Sequence, residues 1–161
     1  MDHEARAKPV ADSTEPVHLR IARVLFVGLA FQGGLAFASP AAALDASVAR
    51  GAQLFHDGES MRGRIDGHTE ILPSTAGRCI NCHVQSPQAG VLAPLLDAST
   101  LLAPLQRRGG PPSVYSRDTF CATLRTGIDP AYVTLKSEMP RFDANDVQCE
   151  DLWNYLTREV R

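Results

Sequence analysis

Aromatic side chains make up only 6% of this 161-residue chain, and its charges nearly cancel, leaving a formal net charge of −2. A balance so close to neutral excludes a nucleic-acid protein that relies on an overall basic surface. With 11 Pro and 12 Gly the chain is no low-complexity sequence, and 44% hydrophobic residues is too high for disorder. Internal repeats are absent and strand-like alternation is scarce. The length allows one ordinary domain, with few large rings to fill its core.

The hydrophobicity is unevenly spread. Arg20 and Arg23 precede an apolar run at 24–38, and Pro40 then leads into Ala41, Ala42 and Ala43. This order of basic, apolar and small residues is that of a secretory signal peptide, with cleavage expected after Ala43. Two other readings are a membrane anchor retained through residues 24–43, just long enough to cross a bilayer, and a buried core helix, which the flanks disfavour. The expected organisation is therefore a signal segment at 1–43 and a mature domain at 44–161. Export places the domain in the periplasm, soluble or held by its N-terminus.

The mature 118 residues carry 12 Lys/Arg, 14 Asp/Glu and all four Cys. Three stretches have helical periodicity. Residues 45–55 place Val48, Gly51, Ala52 and Phe55 on one side, with Gly58 as a stop. After Ser116 as N-cap, Phe120, Cys121 and Leu124 share a face that ends at Gly127. With Asp143 placed as its cap, the last helix repeats Cys149, Leu152, Trp153, Leu156 and Val160 at helical spacing. Between the first two helices, residues 57–115 read as a long, Pro-rich loop, unusual unless it wraps something. Three modest helices leave the core short of apolar filling.

Cys79-Ile80-Asn81-Cys82-His83 matches C-x-x-C-H, the attachment pattern of haem c. Two thiols on one turn can each form a thioether with a haem vinyl group, and the next residue supplies an imidazole to the iron. A thioredoxin-like redox pair would need a βαβ setting, which the sequence lacks. A Cys₄ zinc site would need a second close pair, whereas Cys121 and Cys149 stand 28 residues apart.

On these residues the mature chain resembles a small class I c-type cytochrome. That family carries a Gly and an aromatic four residues on in its first helix, matched by Gly51 and Phe55. In its last helix it carries a Leu and a Tyr three residues on, matched by Leu152 and Tyr155. The resemblance implies an all-α fold of three to five helices around one covalently attached haem, its first and last helices crossing closely. Cys79 and Cys82 would be the covalent anchors and His83 the proximal iron ligand. Met139, in Met139-Pro140-Arg141-Phe142 before the last helix, stands where the family carries its distal ligand; a thioether there suits a one-electron carrier. Met61 reads as a surface or loop residue, and His56 and His68 as solvated, with bis-His ligation the rival arrangement. An Arg for a haem propionate and a Pro carbonyl for the proximal imidazole have the right composition at Arg107-Arg108-Gly109-Gly110-Pro111-Pro112, without assignment to one residue.

Two Cys remain after haem attachment, and in an oxidising compartment an even remainder points to a disulfide between Cys121 and Cys149. The pair departs from the family pattern; two buried free thiols are the alternative. Lys136 is the only Lys of the mature chain, so no basic docking face stands out. The expected function is a periplasmic mono-haem one-electron carrier rather than an enzyme. Its donor would be a dehydrogenase or a quinol-oxidising complex, and its acceptor a terminal oxidase or reductase. The alternatives are a cytochrome subunit of a periplasmic dehydrogenase, with the Pro-rich insertion as docking element, and a haem enzyme or gas sensor with an open sixth site.

Overall fold

The computed structural model describes residues 39–58, 61–83 and 93–158. The apolar run at 24–38 and the last-helix residue Val160 lie outside these. Helix α1 spans Pro40–Asp57; Ser39 caps it by accepting from the Ala42 amide, Pro40 opens its first turn, and Gly58 ends it in the left-handed conformation. The helix thus begins before the expected cleavage point. Its first buried residue is Ser47, so a cut after Ala43 would remove only an exposed turn.

A short strand β1 (Gly63–Arg64) follows, then a 3₁₀ turn at Cys79–Asn81 and helix α2 (Ala98–Leu102). Strands β2 (Leu105–Gln106) and β3 (Pro112–Ser113) pair antiparallel as a small hairpin. Helix α3 (Arg117–Thr126) starts at the Ser116 cap and ends at Gly127, as the periodicity predicts. Strand β4 (Arg141–Phe142) pairs antiparallel with β1, Gly63 opposite Phe142, and helix α4 (Asp146–Thr157) is the last element among the described residues. The described residues are mainly helical.

Two expectations about the elements change. Asn145, not Asp143, caps α4: its side chain accepts from the Gln148 amide, and Gln148 reciprocates on the Asn145 amide. Asp143 lies too early for that bond and pairs with Arg64 at 2.5 Å. The expected loop at 57–115 also contains ordered elements. Among them, α2 starts at a capping box in which Asp97 and Thr100 satisfy each other's amides.

The contact between α1 and α4 organises the domain. Gly51 faces the Asp151 carbonyl so closely that a Cβ there would overlap it, and would lie 2.7 Å from the Tyr155 Cβ. Phe55 and Tyr155 fill the adjoining space with ring centroids 5.6 Å apart. Asp151, 3% exposed, fastens the crossing: it accepts from Ser47 Oγ at 2.6 Å and from Arg50 Nε and Nη2 at 2.7 and 2.8 Å. Asn154 also donates to Ser47 Oγ, at 2.9 Å. Helix α3 packs on α4 through Phe120, Cys121 and Leu124, with Phe120 against Trp153 at 5.7 Å. One core joins these faces with Leu54, Leu101, Phe142, Leu152 and Leu156. Met61 belongs to it too, at 5% exposure, and is not the surface residue its charged, Gly-containing surroundings suggest.

Candidate functional site

The Cys79–His83 segment is wound into a single helical turn. The amides of Cys82 and His83 both donate to the Cys79 carbonyl, at 3.2 and 2.9 Å. Asn81 Nδ2 ties the turn to the preceding chain by donating to the Thr75 carbonyl at 2.8 Å. This winding brings residues 79, 82 and 83 to one cleft, whose wall also includes Ile65, Leu72, Met139, Pro140 and Phe142. Its volume is about 150 Å³, well above the ~10–15 Å³ that one water needs. Burial pushes the Cys79 thiol up to about 11, so it is protonated at neutral pH.

His83 is 8% exposed, and its Nδ1 stands 2.6 Å from the Pro94 carbonyl oxygen. A carbonyl can only accept, so Nδ1 carries the hydrogen. Burial pulls the His83 pKa down, opposed by the Pro94 bond, and the ring is neutral at pH 7. Its Nε2 is therefore a bare lone pair, buried and without a hydrogen-bond partner in the described structure. Leaving such an atom unpartnered costs free energy, and its chemistry is that of a metal ligand whose other nitrogen is already oriented.

Met139, half-buried, reaches the same cleft from the segment between α3 and α4. Its amide donates to the Lys136 carbonyl at 3.1 Å, closing a turn, and Pro140 leads directly into β4. The β1–β4 pairing carries this segment against the chain that follows α1. Cys79, Cys82, His83 and Met139, separated by up to 60 positions in sequence, thus line one cleft.

The segment 107–112 does not supply the carbonyl at His83; Pro94 does. Pro111 and Pro112 are exposed, Pro112 within β3. The Arg107 guanidinium donates to the carbonyls of Thr100 and Ser113 and lies over the Tyr115 ring, 4.9 Å from its centroid. These bonds close the hairpin onto α2. Arg108 is an exposed turn residue with φ of 49°. His56 and His68 are exposed, as expected, and His56 Nε2 meets the Tyr155 hydroxyl at 3.1 Å.

Cys121 and Cys149 are brought together as two buried thiols across the α3–α4 contact. Burial, a hydrogen bond with Cys149 and that neighbour's charge push the Cys121 thiol up to about 12. The Arg125 Nη2 lies 3.6 Å from Cys149 Sγ.

Pro94 is the contributor that sequence reasoning missed. It lies 11 residues beyond His83, and a role carried by a backbone carbonyl leaves no mark on residue type. Phe142 carried a usable signal, the Met-Pro-x-Phe spacing. Comparison with family models, curated proteins and solved structures finds no match to this chain.

Proposed function

We propose that this chain is an exported, periplasmic c-type cytochrome that binds one haem covalently and carries single electrons between redox partner proteins. The observation that carries the reading is the buried, unpartnered Nε2 of His83, in a cleft shared with Cys79, Cys82 and Met139. These residues fit the group. In attachment, each of the Cys79 and Cys82 thiols would add its S–H across a vinyl group. His83 Nε2 and the Met139 thioether would both ligate the iron. The finer fold reading, helices wrapped around a haem, belongs to the same proposal and is supported by the Gly51–Asp151 crossing with Phe55 and Tyr155 beside it.

Haem supplies a centre that exchanges one electron without forming or breaking bonds. The remaining work is done by this chain. The Pro94 carbonyl fixes the tautomer and orientation of His83 and raises its basicity as a ligand. The apolar wall made by Ile65, Leu72 and Phe142 would lower the polarity around the group, favouring the less charged oxidation state. His83 and Met139, held by the same fold in both oxidation states, would let an electron be exchanged with little rearrangement of this chain.

Absorption spectroscopy of the exported, haem-loaded protein tests this reading. The ferric form is expected to show the weak near-infrared Met-to-iron band, and Met139→Ala to lack it. Wild-type protein without that band, whose ferrous form binds CO rapidly, would reject the electron-carrier reading in favour of an open-site haem protein.

A further inference from the structure

Arg141 follows Met139 by two positions and is 8% exposed, an unusual degree of burial for a guanidinium. Its Nη1 donates to the Met139 carbonyl at 2.5 Å and its Nη2 reaches the Leu135 carbonyl at 3.5 Å. On its outer side Nη2 stands 3.5 Å from the Asp66 carboxylate, in the chain that follows β1. Nε has no partner in the described structure.

The underside of the guanidinium rests on Gly127. That residue ends α3 with φ of 71°, and a Cβ there would occupy the space of the Arg141 Nε and Cζ atoms. Glycine at this position therefore serves two purposes: it permits the left-handed cap and leaves the guanidinium its seat. Leu135 donates its amide to the Gly127 carbonyl at 2.7 Å, so the cap and both ends of the 135–139 turn meet around one cation.

We propose that Arg141 is the positioning residue for Met139. Its guanidinium clamps the Met139 carbonyl against the end of α3 and thereby sets how often the thioether leaves its ligating position. This rests on the haem reading above and adds what controls the distal ligand. Arg is suited to the task because a planar fork with five donors can hold two carbonyls and a carboxylate at once. A Lys has one ammonium on a flexible stem and cannot span them.

Exogenous imidazole binds the ferric protein only while Met139 is displaced. Its apparent affinity therefore reports the population of the displaced state. The test is imidazole titration of the full-length, haem-loaded protein at a temperature well below melting, comparing wild type, Arg141→Lys and Arg141→Gln, with far-UV circular dichroism alongside. Both variants are expected to bind imidazole about tenfold or more tightly than wild type while retaining helical content, with Arg141→Gln also weakening the near-infrared band. Should the Gln variant fail to fold, the Lys variant, which keeps the charge and the apolar stem, decides alone. A folded Arg141→Lys protein with wild-type imidazole affinity and an intact band would overturn the proposal, whatever its melting temperature. Met139→Ala separates this from a failure of the haem–Met reading: if it binds imidazole no more tightly than wild type, Met139 is not the ligand.

Discussion

Replacing Gly51 by alanine sets two effects of opposite sign against each other. Gly51 sits in the interior of α1, where Ala is favoured by about 1 kcal/mol from helix propensity alone. Its environment says otherwise. The new methyl would overlap the Asp151 carbonyl, and that obstacle is helix backbone rather than the end of a flexible side chain. Tyr155 Cβ, 2.7 Å away, blocks the neighbouring direction. Relief requires α1 and α4 to separate, loosening Phe55 against Tyr155 and the Ser47–Asp151 bond together. Overpacking in a core costs about 1–3 kcal/mol, and more where backbone must move. With the obstacle being backbone, about 3–4 kcal/mol less the propensity gain leaves a net loss of about 2–3 kcal/mol. For a domain of this size that is a fall of roughly 8–15 °C in melting temperature. Urea unfolding of the haem-loaded protein, followed by far-UV circular dichroism, measures it directly. An unchanged or raised midpoint would mean that propensity wins and that the two helices are not in backbone contact at Gly51. It would also remove the packing half of the case for a cytochrome-like fold.

Asp151 gives stability a pH dependence. Burial pushes its carboxyl upward, but the bonds from Arg50 and Ser47 together outweigh this and hold its pKa below the usual carboxylate value. A depressed folded pKa adds stability above the unfolded value of about 3.9, which is lost as pH falls through the lower folded value. Asp151→Asn should therefore cost about 2 kcal/mol at pH 7 and converge on wild type in acid; a difference constant down to pH 2–3 would show that the charge is not what matters. Asn145→Ala should cost about 1 kcal/mol through loss of the α4 cap. Asp143→Ala, which removes only a half-exposed ion pair, should cost about 0.5 kcal/mol or less; the reverse ranking in urea melts would restore Asp143 as the cap. Oxidation outside the cytoplasm should join the two neighbouring thiols of Cys121 and Cys149, so thiol titration of the exported, unfolded, haem-loaded protein should find neither reactive. Closing that loop would stabilise by about 3–4 kcal/mol, and two free thiols would refute the pairing.

The clearest parts of the fold in the sequence were those where one residue both directs the chain and has a distinctive type. Ser116 and Gly127 bracket α3 because a hydroxyl cap and a left-handed stop are local chemistry, satisfied within a few residues. The clustering of Cys79, Cys82 and His83 was legible for the same reason, since the proposed haem attachment depends on spacing within one turn. Errors fall where two local solutions compete. Asp143 and Asn145 are both good caps, and what chose between them is distant: the pairing of β4 with β1 keeps the chain extended through Asp143, whose amide donates to the Arg62 carbonyl at 2.8 Å. Met61 shows the opposite effect. Charged neighbours marked it as surface, yet the chain leaving α1 turns its side chain into the core that also holds Leu54 and Phe142.

Pro94 and Arg141 mark where reading by residue type stops. The contact at His83 is made by a carbonyl, which every residue possesses, so no composition of 107–112 could have located it; only the path of the chain could. Arg141 was visible as part of Met139-Pro140-Arg141-Phe142, but an arginine two residues from a methionine ordinarily means a solvated charge. Its meaning comes from Gly127, a residue already accounted for as a helix stop. The same glycine leaves the guanidinium its seat, so a position explained by local conformation also answers to a contact 14 residues on. A bare cap requirement would tolerate Asn at this position, since Asn also enters the left-handed region. The seat would not, because any Cβ displaces the guanidinium. Backbone chemistry and space therefore make separate demands on Gly127, and only the second ties the end of α3 to the Met139 side of the cleft.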